Sequence, residues 1–130
     1  MKIGPATPVF RCFDEAKARD FYVRYLGFSW DGEHRISEKA PLYAFLSKGA
    51  LRLHLSEHYG DATPGSTMMV DVSDAQSLLE DLRSRGHDNA NPDIEDLPWG
   101  KQISLKDPFG NTIRFLESEV GKKRLAQSAV

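Results

Sequence analysis

The chain has 130 residues, of which 40% are hydrophobic and 28% are charged, and its formal net charge is -2 at neutral pH. These values are typical of one globular domain and offer no basic surface for nucleic acid or for an acidic membrane. The single cysteine, Cys12, excludes an internal disulfide and a cysteine-based zinc site. The first residues lack the apolar segment of a signal peptide, and no apolar run reaches membrane-spanning length, so we expect a cytoplasmic protein.

The first half of the chain predicts one helix among several strands. Asp14 can cap the first helical turn by accepting its free amide hydrogens, and Gly27 is suited to end the helix in a left-handed conformation. Apolar residues between them recur at helical spacing and define one buried face: Ala18, Phe21, Tyr22 and Tyr25. Four strands are predicted in this half: 9–13, 28–31, 42–46 and 51–55.

The strand at 51–55 alternates leucine with polar residues, which predicts one apolar and one polar face. The alternation favours a buried leucine face, with Arg52 or His54 on the other side. Counting residues forward from Gly49 would instead place Leu53 on that other face. A bulge in the strand would decide between these alternatives, and the sequence leaves them open.

The second half repeats the same order of elements after a linker, 57–65, that is rich in turn-forming residues. Asp74 caps a second helix, whose buried face is formed by apolar residues at helical spacing: Ala75, Leu78, Leu79 and Leu82. Strands are predicted at 66–72, weakly at 87–91, and at 102–105 and 112–116. A loop at 91–100 carries Trp99. The tail after Glu119 has too little apolar periodicity to fold alone, so we expect it to be mobile or packed on a partner subunit.

The two halves repeat at a nearly constant offset. The helix-capping aspartates are 60 residues apart, the helix-ending glycines 59, and the glycines before the last strands, Gly49 and Gly110, 61. Such an offset indicates two copies of one supersecondary unit. Each copy covers only one face of its sheet with a helix, so the other face must meet the second copy or enclose a ligand.

We therefore predict an α+β fold built from two tandem βαβββ modules. Residues 1–120 form a single domain in this prediction, with the modules at about 8–64 and 65–118. Residues 121–130 are the C-terminal tail.

Several motifs match a known family. They are Pro8-Val9-Phe10 with Asp14, Phe21-Tyr22, Tyr25-Leu26-Gly27-Phe28, and Asp107-Pro108-Phe109-Gly110-Asn111. Over about residues 8–117 the chain resembles the glyoxalase/bleomycin resistance protein/extradiol dioxygenase superfamily, also called the vicinal oxygen chelate superfamily. Pro98-Trp99-Gly100 and Leu26-Gly27-Phe28-Ser29 are most similar to the bleomycin-binding resistance proteins. The resemblance implies a homodimer, and it leaves open whether the first strand, which follows Pro8, is exchanged between subunits.

Enzymes of this superfamily hold a divalent metal through His, Glu or Gln on the first and fourth strands of each half. The corresponding positions here fall near Thr7, Met68 and Arg114, with His54 as a fourth candidate. A thioether is a poor ligand for such ions, and a guanidinium repels them. We therefore expect no metal, no other cofactor and no catalytic residue. The alternative is a metal-dependent lyase, isomerase or dioxygenase with a divalent metal at His54.

Trp99 is the strongest candidate for ligand binding, because a large aromatic ring can stack on flat molecules and the resemblance assigns this role to the matching tryptophan. The other candidate lining residues are Phe45, Tyr43, His54, Met68 and Arg114. Arg114 needs an anionic partner, either a ligand group or Asp71. The acidic run 93–96 is typical of a solvated face, and its position just before Trp99 leaves attraction of a cationic ligand as the alternative. The expected function is capture of a flat hydrophobic or cationic small molecule, with bleomycin-type antibiotics as the named candidate.

Overall fold

The protein is described here by a computed structural model that covers residues 1–128, without the side chain of Ser128. The end of the predicted tail, residues 129 and 130, lies outside the described residues. The chain divides into two compact units, Met1–Ser66 and Thr67–Val130. Each unit contains its own four-stranded sheet with helical structure packed on it. Within residues 1–128, no helix is both long enough and apolar enough to cross a membrane.

Unit 1 has one helical segment and one mixed sheet. Its strands are β1 Val9–Arg11, β2 Ser29–His34, β3 Tyr43–Lys48 and β4 Leu51–Ser56. Their spatial order is β1-β4-β3-β2, in which β1 runs parallel to β4 and the other neighbours are antiparallel. Helix α1, Glu15–Ala18, continues as a π-helical segment, Arg19–Tyr25.

The predicted capping of the first helix is confirmed. The Asp14 carboxylate accepts a hydrogen bond from the backbone nitrogen of Lys17 at 2.9 Å. Gly27 follows the helical segment with a φ of 81°, a conformation that glycine adopts without strain. The four apolar residues of the predicted helical face are all buried against the sheet: Ala18, Phe21, Tyr22 and Tyr25.

Unit 2 repeats this topology and adds a C-terminal helix. Its strands are β5 Thr67–Asp71, β6 Glu95–Leu97, β7 Gly100–Lys106 and β8 Thr112–Glu117, and its helices are α2 Ala75–Arg85 and α3 Glu119–Ser128. The order β5-β8-β7-β6 matches that of unit 1, with β5 parallel to β8. Asp74 caps α2 by accepting from the backbone nitrogen of Ser77 at 3.0 Å. The predicted α+β fold of two tandem βαβββ modules is confirmed.

Two predicted segments of unit 2 differ from the structure. The weak strand predicted at 87–91 is wrong, because this stretch holds only an isolated bridge between His87 and Ala90. The edge strand is β6, which lies inside the predicted loop at 91–100. Strand β6 pairs with β7 over three residues. Two of those three are acidic, so the sequence carries no apolar alternation that would indicate a strand.

The segment after Glu119 forms α3 and packs on β5 and β8 of its own unit. Gly121 permits this approach, because a Cβ atom there would lie only 2.6 Å from Oδ1 of Asp71. Arg124 then forms an ion pair with the same aspartate. A helix held by such non-local contacts needs little apolar periodicity of its own, which explains why the sequence pattern did not indicate it.

Each sheet has one face covered by its helix and one face turned away from it, which we call the open face. In β4, Leu53 and Leu55 are fully buried on the helix side. His54 pairs with Val9 and Phe45 on the open face, and the register of β4 contains no bulge. The alternation of the sequence therefore indicated the correct faces, and counting from Gly49 did not.

Candidate ligand-binding site

Trp99 lies at the tip of the β6–β7 hairpin in unit 2. Leu97 pairs with Gly100, so Pro98 and Trp99 are the two residues of the turn. A Cβ atom at Gly100 would lie 2.2 Å from the carbonyl oxygen of Glu117, so only glycine lets β7 begin this close to the end of β8. The hairpin is short and tightly placed, yet the Trp99 side chain is 61% exposed. The hairpin therefore fixes the backbone at Trp99, and the indole is not packed into the core.

A cavity of about 440 Å³ borders the indole of Trp99. Its lining residues are Trp99, Leu116, Ser118, Glu119, Val120 and Arg124. Leu116 and Val120 give it an apolar surface beside the indole, and its volume falls within the range of small-molecule sites. A second cavity of about 370 Å³ shares Trp99, but half of its lining residues are charged, including Lys101, Glu117 and Lys122. The first cavity is the better match for a flat apolar molecule.

Strand β8 determines which side chains accompany Trp99 on the open face of unit 2. Ile113 and Phe115 are buried on the side of α2, so Arg114 and Leu116 point the opposite way. Met69 pairs with Arg114 across the neighbouring strand and is 53% exposed. This face therefore combines an exposed thioether, a guanidinium and the apolar wall of the cavity.

Met68 does not have the predicted role of a ligand-facing apolar wall. Its side chain is 7% exposed and pairs with Ile113 on the side of the sheet that α2 covers. Met69, its neighbour, takes the place on the open face. Since two consecutive methionines carry no contrast in polarity, the sequence alone did not distinguish the buried one from the exposed one.

Arg114 and Asp71 do not form the internal ion pair that the sequence allowed. Both oxygens of Asp71 accept hydrogen bonds from Arg124, at 2.8 Å from Nε and 2.9 Å from Nη2. These bonds lower the pKa of Asp71 below its ordinary value. Within residues 1–128, no carboxylate lies within ion-pair distance of the Arg114 guanidinium. Arg124 could not be identified from local sequence patterns, because it lies 53 residues from Asp71 in the chain.

The acidic run at 93–96 is partly neutralised by neighbouring cations. Asp93 lies 3.4 Å from Nη2 of Arg83, and Asp96 lies 3.2 Å from Nζ of Lys101. Both pairs are exposed, so they contribute little to stability, but they reduce the local negative charge. The run therefore gives weak support to a cationic ligand.

The three predicted site residues of unit 1 form a cluster on the open face of its sheet. The Tyr43 hydroxyl lies 2.9 Å from Nδ1 of His54, and the rings of Phe45 and His54 meet edge to face with centroids 5.0 Å apart. Burial lowers the pKa of His54, and the nearby positive charge of Arg52 lowers it further. A neutral imidazole with Nδ1 accepting from Tyr43 fits this arrangement.

Comparison with known proteins identifies the family. The sequence-family model described as a glyoxalase superfamily protein matches residues 2–122, which is nearly the whole chain. The chain belongs to the glyoxalase superfamily. The predicted resemblance is thereby confirmed at the level of the superfamily.

Solved structures with the same fold include antibiotic-binding proteins. The bleomycin-binding protein from bleomycin-producing Streptomyces verticillus, in complex with copper(II)-bleomycin, is 29% identical with a TM-score of 0.67, and the match covers 92% of this chain and 99% of that one. A glyoxalase/bleomycin resistance protein from Streptomyces sp. CB03234 is 26% identical with a TM-score of 0.61, covering 85% and 99%. An antibiotic-binding protein from the same strain, at 24% identity and a TM-score of 0.71 over 92% and 99%, shows the shared fold. No curated protein matches the sequence.

The side chains at the metal positions of this superfamily do not fit a divalent ion here. In unit 1, His54 lies beside Val9 and Phe45 on the neighbouring strands, and its Nδ1 already contacts Tyr43. The equivalent place on β8 holds Arg114. Over the described part of the chain, no group of three His, Cys, Asp or Glu side chains is arranged to hold a metal. A single imidazole is too few ligands for a protein metal site.

Proposed function

We propose that this glyoxalase superfamily protein binds a flat small molecule and sequesters it, with the indole of Trp99 as the stacking surface. The observation that carries the proposal is an exposed tryptophan at the tip of a tightly placed hairpin, beside a cavity of about 440 Å³. A tryptophan that only anchored its own loop would be packed against the sheet instead. A rigid exposed indole offers a large apolar contact at little cost in conformational entropy.

In this proposal the protein acts by stoichiometric capture, without metal, cofactor or catalytic residue. Bleomycin-type antibiotics are the named candidate, because two of the similar structures contain bleomycin-binding proteins in complex with that drug. We also propose a homodimer in the cytoplasm, as the sequence predicts. The ligand is taken as flat and apolar, since the acidic run gives little reason to require a positive charge.

Titration with bleomycin, both metal-free and loaded with copper(II), tests the drug assignment. The Trp30→Phe variant leaves Trp99 as the only tryptophan and retains an aromatic ring for Arg19, which lies 4.1 Å from the Trp30 ring centroid. We expect quenching of Trp99 fluorescence on binding, and heat in calorimetry of the wild type. If neither changes at high drug excess, bleomycin is excluded as a ligand.

Replacing Trp99 by alanine tests the stacking surface itself. We expect the affinity for any flat ligand that binds to fall by about tenfold or more, as for other exposed aromatic anchors. Tyr59→Ala is the matched control, because Tyr59 is a 98% exposed aromatic residue in the linker of unit 1. Equal affinities in the two variants would show that Trp99 is not the stacking surface.

The metal-dependent alternative has a separate test. Elemental analysis of protein purified without chelators should find less than one divalent metal per chain. Stoichiometric metal in the wild type that disappears in His54→Ala would instead favour an enzyme with its metal at His54. The comparison of the two proteins is needed because metal bound at the surface would be unaffected by the change.

A further inference from the structure

We propose that the flat ligand carries an anionic group, and that Arg114 binds this group on the open face of unit 2. The inference rests on the proposed capture by Trp99 and specifies its ligand class, so it favours an anionic ligand over the bleomycin-type candidate. Its ligand class is an aromatic acid: a planar apolar part for Trp99 and Leu116, joined to a carboxylate, sulfonate or phosphate for the guanidinium.

Arg114 is not a lining residue of the cavity, but it lies on the same face of β8 as the lining residue Leu116. Arg114 and Leu116 lie two residues apart on β8 and point to the same face, so their Cα atoms are about 7 Å apart. The side chains that pair with Arg114 on the neighbouring strands are Met69 and Ser104, neither of which is charged. The guanidinium therefore lies within a ligand's length of the apolar wall that Leu116 provides.

The carboxylate of Asp71 could compete with a ligand for Arg114, but it is already paired with another arginine. Asp71 lies diagonally across from Arg114 on the same face, at a Cα distance of about 8 Å that two long side chains can bridge. Arg124 of α3 holds both oxygens of this carboxylate. By occupying Asp71, the C-terminal helix leaves the charge of Arg114 available to a ligand.

The acidic side chains around the two cavities are offset in part. Nζ of Lys122 lies 3.2 Å from Glu117 and 4.0 Å from Glu119. Lys122 thus offsets one of these two charges, and Arg114 is the cation near the apolar wall that no carboxylate of residues 1–128 pairs with. A planar guanidinium matches the paired oxygens of a carboxylate, sulfonate or phosphate, so the expected contact is bidentate.

Three probes that share one ring system and one substitution position separate charge from stacking. They are naphthoate, naphthamide and naphthylmethylammonium, with negative, neutral and positive substituents. Calorimetry and Trp99 fluorescence should rank naphthoate first, about five- to tenfold tighter than naphthamide, which is the effect of one partly exposed bidentate ion pair. The ammonium probe should bind more weakly than the amide.

Arg114→Met should remove the preference for the acid while leaving the affinity for naphthamide near that of the wild type. Arg83→Met is the matched control, because it removes the same charge from an exposed position on α2. The control should retain the full preference, which would exclude a mere effect of net charge.

Arg124→Met tests the role of the C-terminal helix in the inference. Freed from Arg124, Asp71 can turn to Arg114, so the ratio of naphthoate to naphthamide affinity should fall toward one. Adding Asp71→Asn to this variant should restore the ratio. The ratio is the proper readout, because Arg124 also lines the cavity and its loss changes the affinity for every probe.

The outcomes distinguish the anionic ligand at Arg114 from the stacking on Trp99. Equal binding of acid and amide, or tighter binding of the ammonium, would overturn the anionic ligand and leave stacking on Trp99 intact. Failure of all three probes at millimolar concentration would overturn both. A preference for the acid that survives Arg114→Met would overturn the assignment to Arg114.

Discussion

His54 and Arg114 hold the same position in the two sheets, but their surroundings differ. Each lies on the strand next to the first strand of its unit, with the strand registers displaced by 60 residues. His54 is enclosed by Tyr43 and Phe45 and has a pKa lowered by burial. Arg114 is exposed beside Met69, and its neighbouring carboxylate, Asp71, is held by Arg124. One duplicated frame thus carries a neutral aromatic cluster in unit 1 and a cation beside an apolar cavity in unit 2.

This difference shows that the two modules share a backbone topology but differ in the chemistry of their open faces. The helix sides of both sheets carry large buried apolar side chains, such as Leu53 and Leu55 in unit 1 and Ile113 and Phe115 in unit 2, because each must pack on its helix. The open faces carry no such constraint and have diverged in charge and polarity. A metal site that draws ligands from equivalent strands of both units needs suitable residues in each, and unit 2 offers a guanidinium at that place.

The largest effect on stability is expected from a substitution on the helix side of the unit 2 sheet, with a substitution on its open face as the comparison. Met68→Ala should lower the free energy of unfolding by about 2–4 kcal/mol, because it leaves a space in a packed core. Met69→Ala should change it by less than about 0.5 kcal/mol, since the side chain is half exposed. Chemical denaturation of both variants measures the difference. Similar losses in both would break the assignment of faces.

A smaller effect on stability is expected from the protonation of His54. Because burial lowers its pKa, the folded state binds this proton less readily than the unfolded state, whose imidazole titrates near the ordinary value of about 6.5. The contribution of a neutral His54 is therefore complete above that pH. It declines as the pH falls toward the lowered pKa, and it is lost below it.

Stability measured between neutral and mildly acidic pH should thus fall more steeply in the wild type than in His54→Gln. Titration of the His54 ring protons by NMR gives the pKa itself. A His54 pKa at or above the ordinary value of about 6.5 would contradict the half-buried neutral imidazole.

A small effect on stability is expected at the ion pair between Arg124 and Asp71. Arg124→Ala should cost about 0.5 kcal/mol, because the arginine is largely exposed to solvent. Hydrogen exchange should nevertheless show faster exchange in α3, which loses a contact to the sheet. Unchanged protection of α3 would mean that Gly121 and the helix contacts suffice to hold it in place.

Local chemistry explains which parts of the fold were predictable. The capping aspartates, the helix-ending glycines and the apolar helical faces act within a few residues, so the repeat was visible in the sequence. The alternation in β4 likewise assigned His54 and its leucine neighbours to their correct faces. These elements were fixed by contrasts in polarity between adjacent positions.

The remaining errors arose where such contrasts are missing or where contacts are distant in the chain. Met68 and Met69 are identical, and β6 is a short polar edge strand defined by its pairing with β7. Helix α3 depends on Asp71, which precedes it by some fifty residues. The role of Leu116 in lining the cavity could have been inferred from the burial of its neighbours on β8. The role of Val120 could not, because it depends on the position of α3.

Helix α3 lies outside the duplicated modules, and this position has a consequence for how the site can change. It supplies Val120 and Arg124 to the cavity, and neither residue belongs to a strand of either sheet. Substitutions there can alter the shape and charge of the cavity while the paired frame stays intact. Laboratory evolution toward new ligands should therefore collect its useful changes in this helix and spare the strands.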